Sequence, residues 1–159
     1  MPTADLGFAW AVKESFVHYV ASMPDGRIAV GDGAAVTSTE QFYFPFVSAR
    51  AASDGVRSYE FEGFVHFVAH DGMLSLDVRR PRIDIGSNSA RLSIQRTADE
   101  WLHLGDIALP EAEVDDSVTM WREAAVGLTT QGATLFAGTY RPGEPLAQIT
   151  IRVPTASAR

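Results

Sequence analysis

Four histidines, four tyrosines and a spread of carboxylates are the side chains of this 159-residue chain best suited to ligating a metal or moving a proton. Cysteine is absent. That excludes disulfides, thiolate metal sites, iron–sulfur clusters, cysteine nucleophiles and thioether-linked cofactors. Period-two alternation up to the Asp71-Gly72 turn puts Glu62, Phe64, His66, Val68 and His70 on one strand face, and Phe61, Val65, Phe67 and Ala69 on the other. His66 and His70 therefore share a side. Residues four apart on a strand are too widely spaced to chelate one small ion comfortably, and no third ligand lies nearby in sequence. Two solvated or hydrogen-bonded strand histidines are the plainer reading. His18 and His103 sit in no motif and read as surface residues.

Enzyme signatures are missing as well. There is no Gly-x-Ser-x-Gly elbow, P-loop, His-Glu-x-x-His or Gly-x-Gly-x-x-Gly, and Gly31-Asp32-Gly33 lacks the strand–turn–helix setting of a phosphate loop. Glu111, Glu113, Asp115 and Asp116 form an acidic run that reads as a solvated loop. No residue is marked as a nucleophile.

The elements that must position these groups are one helix and many short strands. Val12, Phe16, Tyr19, Val20 and Met23 recur at spacings of three and four, which predicts a helix over Phe8 to Ser22, capped by Asp5 and stopped by Pro24-Asp25-Gly26. Ser15 and Tyr19 then lie one turn apart on the same face. Strands are expected at Gln41–Val47, Val56–His70, Met73–Arg79, Arg82–Ile85, Arg91–Gln95, His103–Leu109 and Ala147–Val153, with a hairpin at Asp71-Gly72. A second short helix is expected from Thr129, as N-cap, to Ala137, with Gly138 closing it. The expected fold class is all-β, a mainly antiparallel β-sandwich or open barrel with an N-terminal helix and a second short helix.

At 46% hydrophobic residues the chain can bury one sizeable core, so a single domain over 2–154 is expected, with 155–159 as a tail. The net charge of −7 and the absence of a basic cluster exclude a nucleic-acid footprint. Met1 to Gly26 lacks the basic and apolar regions of a secretory signal, and no apolar run is long enough to span a bilayer. As encoded, the chain is expected to be soluble and cytoplasmic; as a mature domain cut from a precursor, it would be exported or on the cell surface.

Four blocks of sequence carry a family resemblance. Trp10-Ala-Val-Lys-Glu-Ser-Phe-Val-His-Tyr19-Val20 resembles the opening Trp-x-Val-Lys-x-Ser-Phe-x-x-Tyr of the HtaA-type haem-binding domain of actinobacterial haem-uptake proteins. Phe42-Tyr43-Phe44-Pro45 is similar to the family's Phe-x-Phe-Pro, and Phe61 to Gly72 resembles its Gly-x-Val-x-Phe-x-x-His-x-Gly hairpin. Leu128 to Gly143 resembles its closing Leu-Thr-x-x-Gly-Ala-x-x-Phe-x-Gly-x-Tyr-x-x-Gly, although Thr139 stands where the family often has Phe. The blocks keep the family's order and cover nearly the whole chain.

The resemblance implies a non-enzymatic protein that holds ferric haem b for acquisition, transfer or storage. It places the axial iron ligand on Tyr19, the hydrogen-bond donor to its phenolic oxygen on His70, and Ser15 and Tyr140 beside the haem. Haem-uptake or haem-carrier proteins are the implied partners. The chemistry is compatible, because tyrosine ligates when ferric iron and a hydrogen-bond donor stabilise its phenolate, and a hard anion favours Fe(III) over Fe(II). Read from the helix alone, Tyr19 is instead a core residue of an amphipathic stripe. Two other functions stand beside haem carriage: a haem-dependent enzyme, peroxidase or haem-degrading, and a β-domain binding another apolar ligand.

Overall fold

A computed structural model describes residues 6–51, 55–87, 89–136 and 139–155. Eight strands close into an antiparallel barrel: β1 (Gly7–Trp10), β13 (Pro145–Pro154), β12 (Val118–Leu128), β10 (Trp101–Ala108), β9 (Ala90–Gln95), β8 (Arg82–Ile85), β5 (Arg57–Phe61) and β4 (Phe42–Ala51). Closure depends on β1, which pairs β13 through Phe8↔Ile151 on one edge and β4 through Phe8↔Phe44 on the other. The barrel corrects the sandwich expectation. Closure satisfies both edges of β1 within the ring, where a sandwich would leave edge strands to protect. Two short strands extend the ring, β3 (Ala35–Val36) on β4 and β11 (Glu113–Val114) on β12.

A separate three-stranded sheet, in the order β2 (Arg27–Gly31), β6 (Phe64–Ala69), β7 (Leu74–Arg79), grows out of the barrel. Its β6–β7 hairpin is inserted between barrel neighbours β5 and β8. Phe61 N donates to Pro81 O at 3.0 Å and Arg80 N to Gly63 O at 2.9 Å, tying exit to return. The expected strand Val56–His70 is thus two strands in two sheets. Gly63 makes the corner: its φ of +108° suits glycine, and a Cβ there would stand 2.7 Å from that of Ala34. Within β6 the alternation holds, with Val65, Phe67 and Ala69 buried and Phe64, His66 and Val68 half-buried.

The N-terminal helix also differs from expectation. Phe8, Ala9 and Trp10 are strand, and the helix α1 spans Glu14–Ser22, starting at Lys13 without a side-chain cap. Asp5, the expected cap, lies outside the described residues. Val12 joins strand to helix at a φ of +63°, a conformation a β-branched residue rarely takes, and it is fully buried. The second helix, α2 (Thr130–Leu135), starts as expected: Gly132 N donates to the Thr129 hydroxyl at 2.9 Å. Ala137 and Gly138 lie outside the described residues. Pro154 ends β13, and Thr155, the first residue of the expected tail, donates its N–H to Ser117 O at 3.0 Å. The acidic run is partly ordered, since Glu113 pairs with Arg122 at 3.1 Å and Asp115 accepts from Ser117 N and Val118 N.

Two aromatic clusters fill the core. Phe8 stacks on Phe44 at 4.8 Å and meets Phe61 edge-on inside the barrel. Phe16 of α1 meets Phe67 of β6 and Phe136, just past α2, each edge-on at 5.1 Å. That second cluster fixes α1, the hairpin and α2 around one space.

Candidate functional site

Helix α1 turns Phe16 and Val20 into the core and leaves Ser15 and Tyr19 facing outward. Tyr19 is 45% exposed, so the core-residue reading fails: the other members of its stripe provide the packing. Opposite stands the turn that closes the β6–β7 hairpin, four residues long where Asp71-Gly72 suggested a tight one. His70, Asp71 and Gly72 take φ values of +56°, +55° and +85°, left-handed backbone that asparagine, aspartate and histidine accept more readily than most residues. The turn closes on itself through Gly72 N to Ala69 O at 3.1 Å and Met73 N to His70 O at 3.0 Å. Left-handed backbone takes His70 out of the strand's alternation and away from the path expected for it.

Its imidazole Nε2 lies 2.6 Å from the phenolic oxygen of Tyr19. His66, its expected companion, instead has Nε2 3.0 Å from the Ser75 hydroxyl. His103 pairs with Asp106 at 2.8 Å, and His18 is exposed on α1. Among the described residues no group of three or more His, Asp or Glu is arranged to hold a metal ion.

A groove of about 940 Å³ opens beside the Tyr19–His70 contact, and Ser15, Tyr19, His70 and Tyr140 all line it. Its apolar walls come from Phe16, Leu74, Leu76, Leu135 and Phe136, with Met73, 89% exposed, at the mouth. Tyr140 rests edge-on against Phe136 at 5.2 Å, and the Lys13 ammonium lies 5.0 Å from its ring centroid while bonding Glu144 at 3.1 Å. Thr139 lines the groove too. The walls were not singled out in sequence because their residues belong to ordinary apolar patterns; Phe16, Leu135 and Phe136 fell inside family blocks, and Leu74 and Leu76 did not.

Asp25, just past α1, accepts a hydrogen bond from Asp71 N at 2.7 Å. This N–H, helped by that of His70 and by the imidazole, holds the Asp25 carboxyl below its ordinary range.

Chemically, the arrangement offers a phenolic oxygen with an imidazole nitrogen beside it. As a neutral phenol Tyr19 donates its O–H to Nε2; once the proton sits on Nε2, the same contact reverses and N–H donates to the phenolate. An oxygen donor beside a large groove with apolar walls suits a flat apolar molecule.

The family model HtaA, described as Htaa, matches residues 5–152. The chain belongs to the HtaA family. Solved HtaA-family structures share its fold. The C-terminal domain of HtaA from Corynebacterium glutamicum is 24% identical with a TM-score of 0.79, over 93% of this chain and 94% of that one. The N-terminal domain of the same HtaA is 24% identical with a TM-score of 0.77, over 97% and 100%. The heme binding protein HtaB from that organism is 22% identical with a TM-score of 0.70, over 91% and 90%. No curated protein matches the chain. Among the described residues no helix is long and apolar enough to cross a membrane.

Proposed function

We propose that this HtaA domain holds ferric haem in the groove, with the phenolate of Tyr19 toward the iron, for haem acquisition, transfer or storage. The observation that carries this reading is a tyrosine oxygen at the groove, 45% exposed as a residue, with a histidine nitrogen 2.6 Å away. Family membership and the likeness to a heme binding protein support it. The chain acts as a binding module and not an enzyme.

The residues present fit the group. Bound haem would supply an electrophilic Fe(III) that favours a hard anionic oxygen. Phe16, Leu135 and Phe136 give apolar surface for a porphyrin face, and the hydroxyls of Ser15 and Tyr140 suit its carboxylates. His70 receives the proton that leaves Tyr19 and returns a hydrogen bond to the phenolate. Partners of this cargo are haem donors and acceptors of the uptake system.

Titration of the purified protein with hemin tests the reading. A saturable ferric-tyrosinate absorption spectrum that collapses on reduction is expected. A folded protein that leaves the hemin spectrum unchanged would point to another apolar ligand, and sustained turnover of peroxide or oxidation of the porphyrin would point to a haem enzyme.

A further inference from the structure

The turn that carries His70 is poorly determined by its own sequence. His70 and Asp71 are two consecutive non-glycine residues in left-handed backbone, a strained conformation that persists where surrounding contacts hold it. The two bonds inside the turn, Gly72 N to Ala69 O and Met73 N to His70 O, close it without fixing it to anything else. Among the described residues, two side chains from the α1 segment hydrogen-bond to it: Tyr19 through His70, and Asp25 through the Asp71 N–H at 2.7 Å. These bonds join the same two pieces of chain.

Asp25 is itself firmly placed. Gly26 N donates to Met23 O at 3.0 Å, and a Cβ on Gly26 would lie 1.8 Å from the Val20 carbonyl oxygen. The chain therefore folds back hard against the last turn of the helix that bears Tyr19.

We propose that Asp25 is a positioning residue: its carboxylate grips the backbone of the 70–72 turn against the end of α1 and so sets where the His70 imidazole stands relative to the Tyr19 oxygen. The proposal rests on the reading of Tyr19 and His70 as the ligand-binding pair. Without the grip the turn has one fewer anchor, and the imidazole samples positions beyond hydrogen-bond reach of the phenol.

The experiment compares the parent with Asp25→Ala and Asp25→Asn, first without hemin and then with it. In the hemin-free proteins, Asp25→Ala should speed exchange of the Asp71 amide proton by about tenfold. It should also shift the His70 ring-nitrogen resonances toward those of a Tyr19→Phe protein. Asp25→Asn keeps an acceptor oxygen and should restore most of both. With hemin, Asp25→Ala should displace the tyrosinate band in the direction given by His70→Ala, by a smaller amount, and Asp25→Asn should return it. Parent-like Asp71 exchange and His70 resonances in Asp25→Ala overturn the proposal. A lowered melting temperature with a parent-like imidazole overturns it too, since that marks a merely structural carboxylate. If the parent itself takes up no hemin, the haem reading fails, and the hemin-free measurements still decide the role of Asp25.

Discussion

The phenolic oxygen of Tyr19 and Nε2 of His70 lie 2.6 Å apart across a sequence separation of 51 residues. Their meeting depends on the inserted hairpin: β6 leaves the barrel at Gly63, and its far turn returns His70 to the outward face of α1. The aromatic contacts of Phe16 with Phe67 and Phe136 hold the helix at the height where this is possible. Ser15 and Tyr19 stand on a helix whose other side is buried, and His70 stands in an exposed turn, so these residues can be altered with little damage to the core.

Replacing His70 separates imidazole from backbone. Loss of a group that supports a metal ligand lowers affinity about 10- to 100-fold, and that is the drop in hemin affinity expected for His70→Ala. His70→Gly should show the same drop while being about 1 kcal/mol more stable than His70→Ala, because the native φ of +56° favours glycine. Paired denaturant melts and hemin titrations check this; different affinities in the two variants would place the effect in the backbone.

Acid should release the turn before the barrel unfolds. The Asp25 carboxyl sits below its ordinary value of 3.8, chiefly because the Asp71 N–H donates to it, with the His70 N–H and imidazole adding to the effect. A depressed folded-state value means the stabilisation is complete above 3.8 and is lost as pH falls through the lower folded value. Asp71 amide exchange should therefore be pH-corrected and flat down to about pH 5, then rise at lower pH. Asp115, held down by the Val118 and Ser117 N–H groups, should loosen its own turn in the same direction. An Asp71 amide whose protection survives full protonation of Asp25 would show that the carboxylate is not its anchor.

Helix α2 is pressed onto the barrel at Gly132, where a Cβ would lie 2.3 Å from the Leu104 carbonyl oxygen. Gly132→Ala must push α2 outward, at about 1–3 kcal/mol of stability, and moves Thr134 and Leu135 at the groove wall. Thr129→Ala removes the helix cap at about 1 kcal/mol without introducing that clash. Gly132→Ala should thus weaken hemin binding more than Thr129→Ala does. Equal affinities would mean that α2 does not shape the groove.

Much of this was legible in sequence, and the failures have local causes. Strands such as Arg82–Ile85 and the start of α2 were readable because alternation and a threonine cap are local signals. The strand Phe8 to Trp10 was hidden because its apolar residues also fit a helical stripe, and the break comes at Val12, whose left-handed backbone no valine announces. The longest strand, Val118–Leu128, was missed altogether: it carries Arg122, Glu123 and two irregular registers with β13, which blur its alternation. Ser15, Tyr19, His70 and Tyr140, which line one groove, were singled out through family blocks. Asp25 was read only as part of a helix stop, since its partner is a backbone N–H that no side-chain pattern reports.

Tyr19→Phe is the sharpest test of the site. The substitution keeps the ring and removes one oxygen, and Tyr19 is 45% exposed with Phe16 and Val20 carrying the helix packing. Stability should therefore stay within about 0.5 kcal/mol of the parent, the usual range for a surface change. Loss of the proposed ligand atom should reduce ferric hemin affinity by more than the about 10- to 100-fold of a supporting residue, and abolish the tyrosinate band. The free His70 imidazole cannot substitute silently, because nitrogen ligation would give a different spectrum. Tyr140→Phe provides the matched control on the same groove, where loss of a hydroxyl should leave the band in place and lower affinity modestly. If Tyr19→Phe kept the parent spectrum and affinity while Tyr140→Phe lost both, the ligand would be Tyr140 and the Tyr19–His70 contact would be structural.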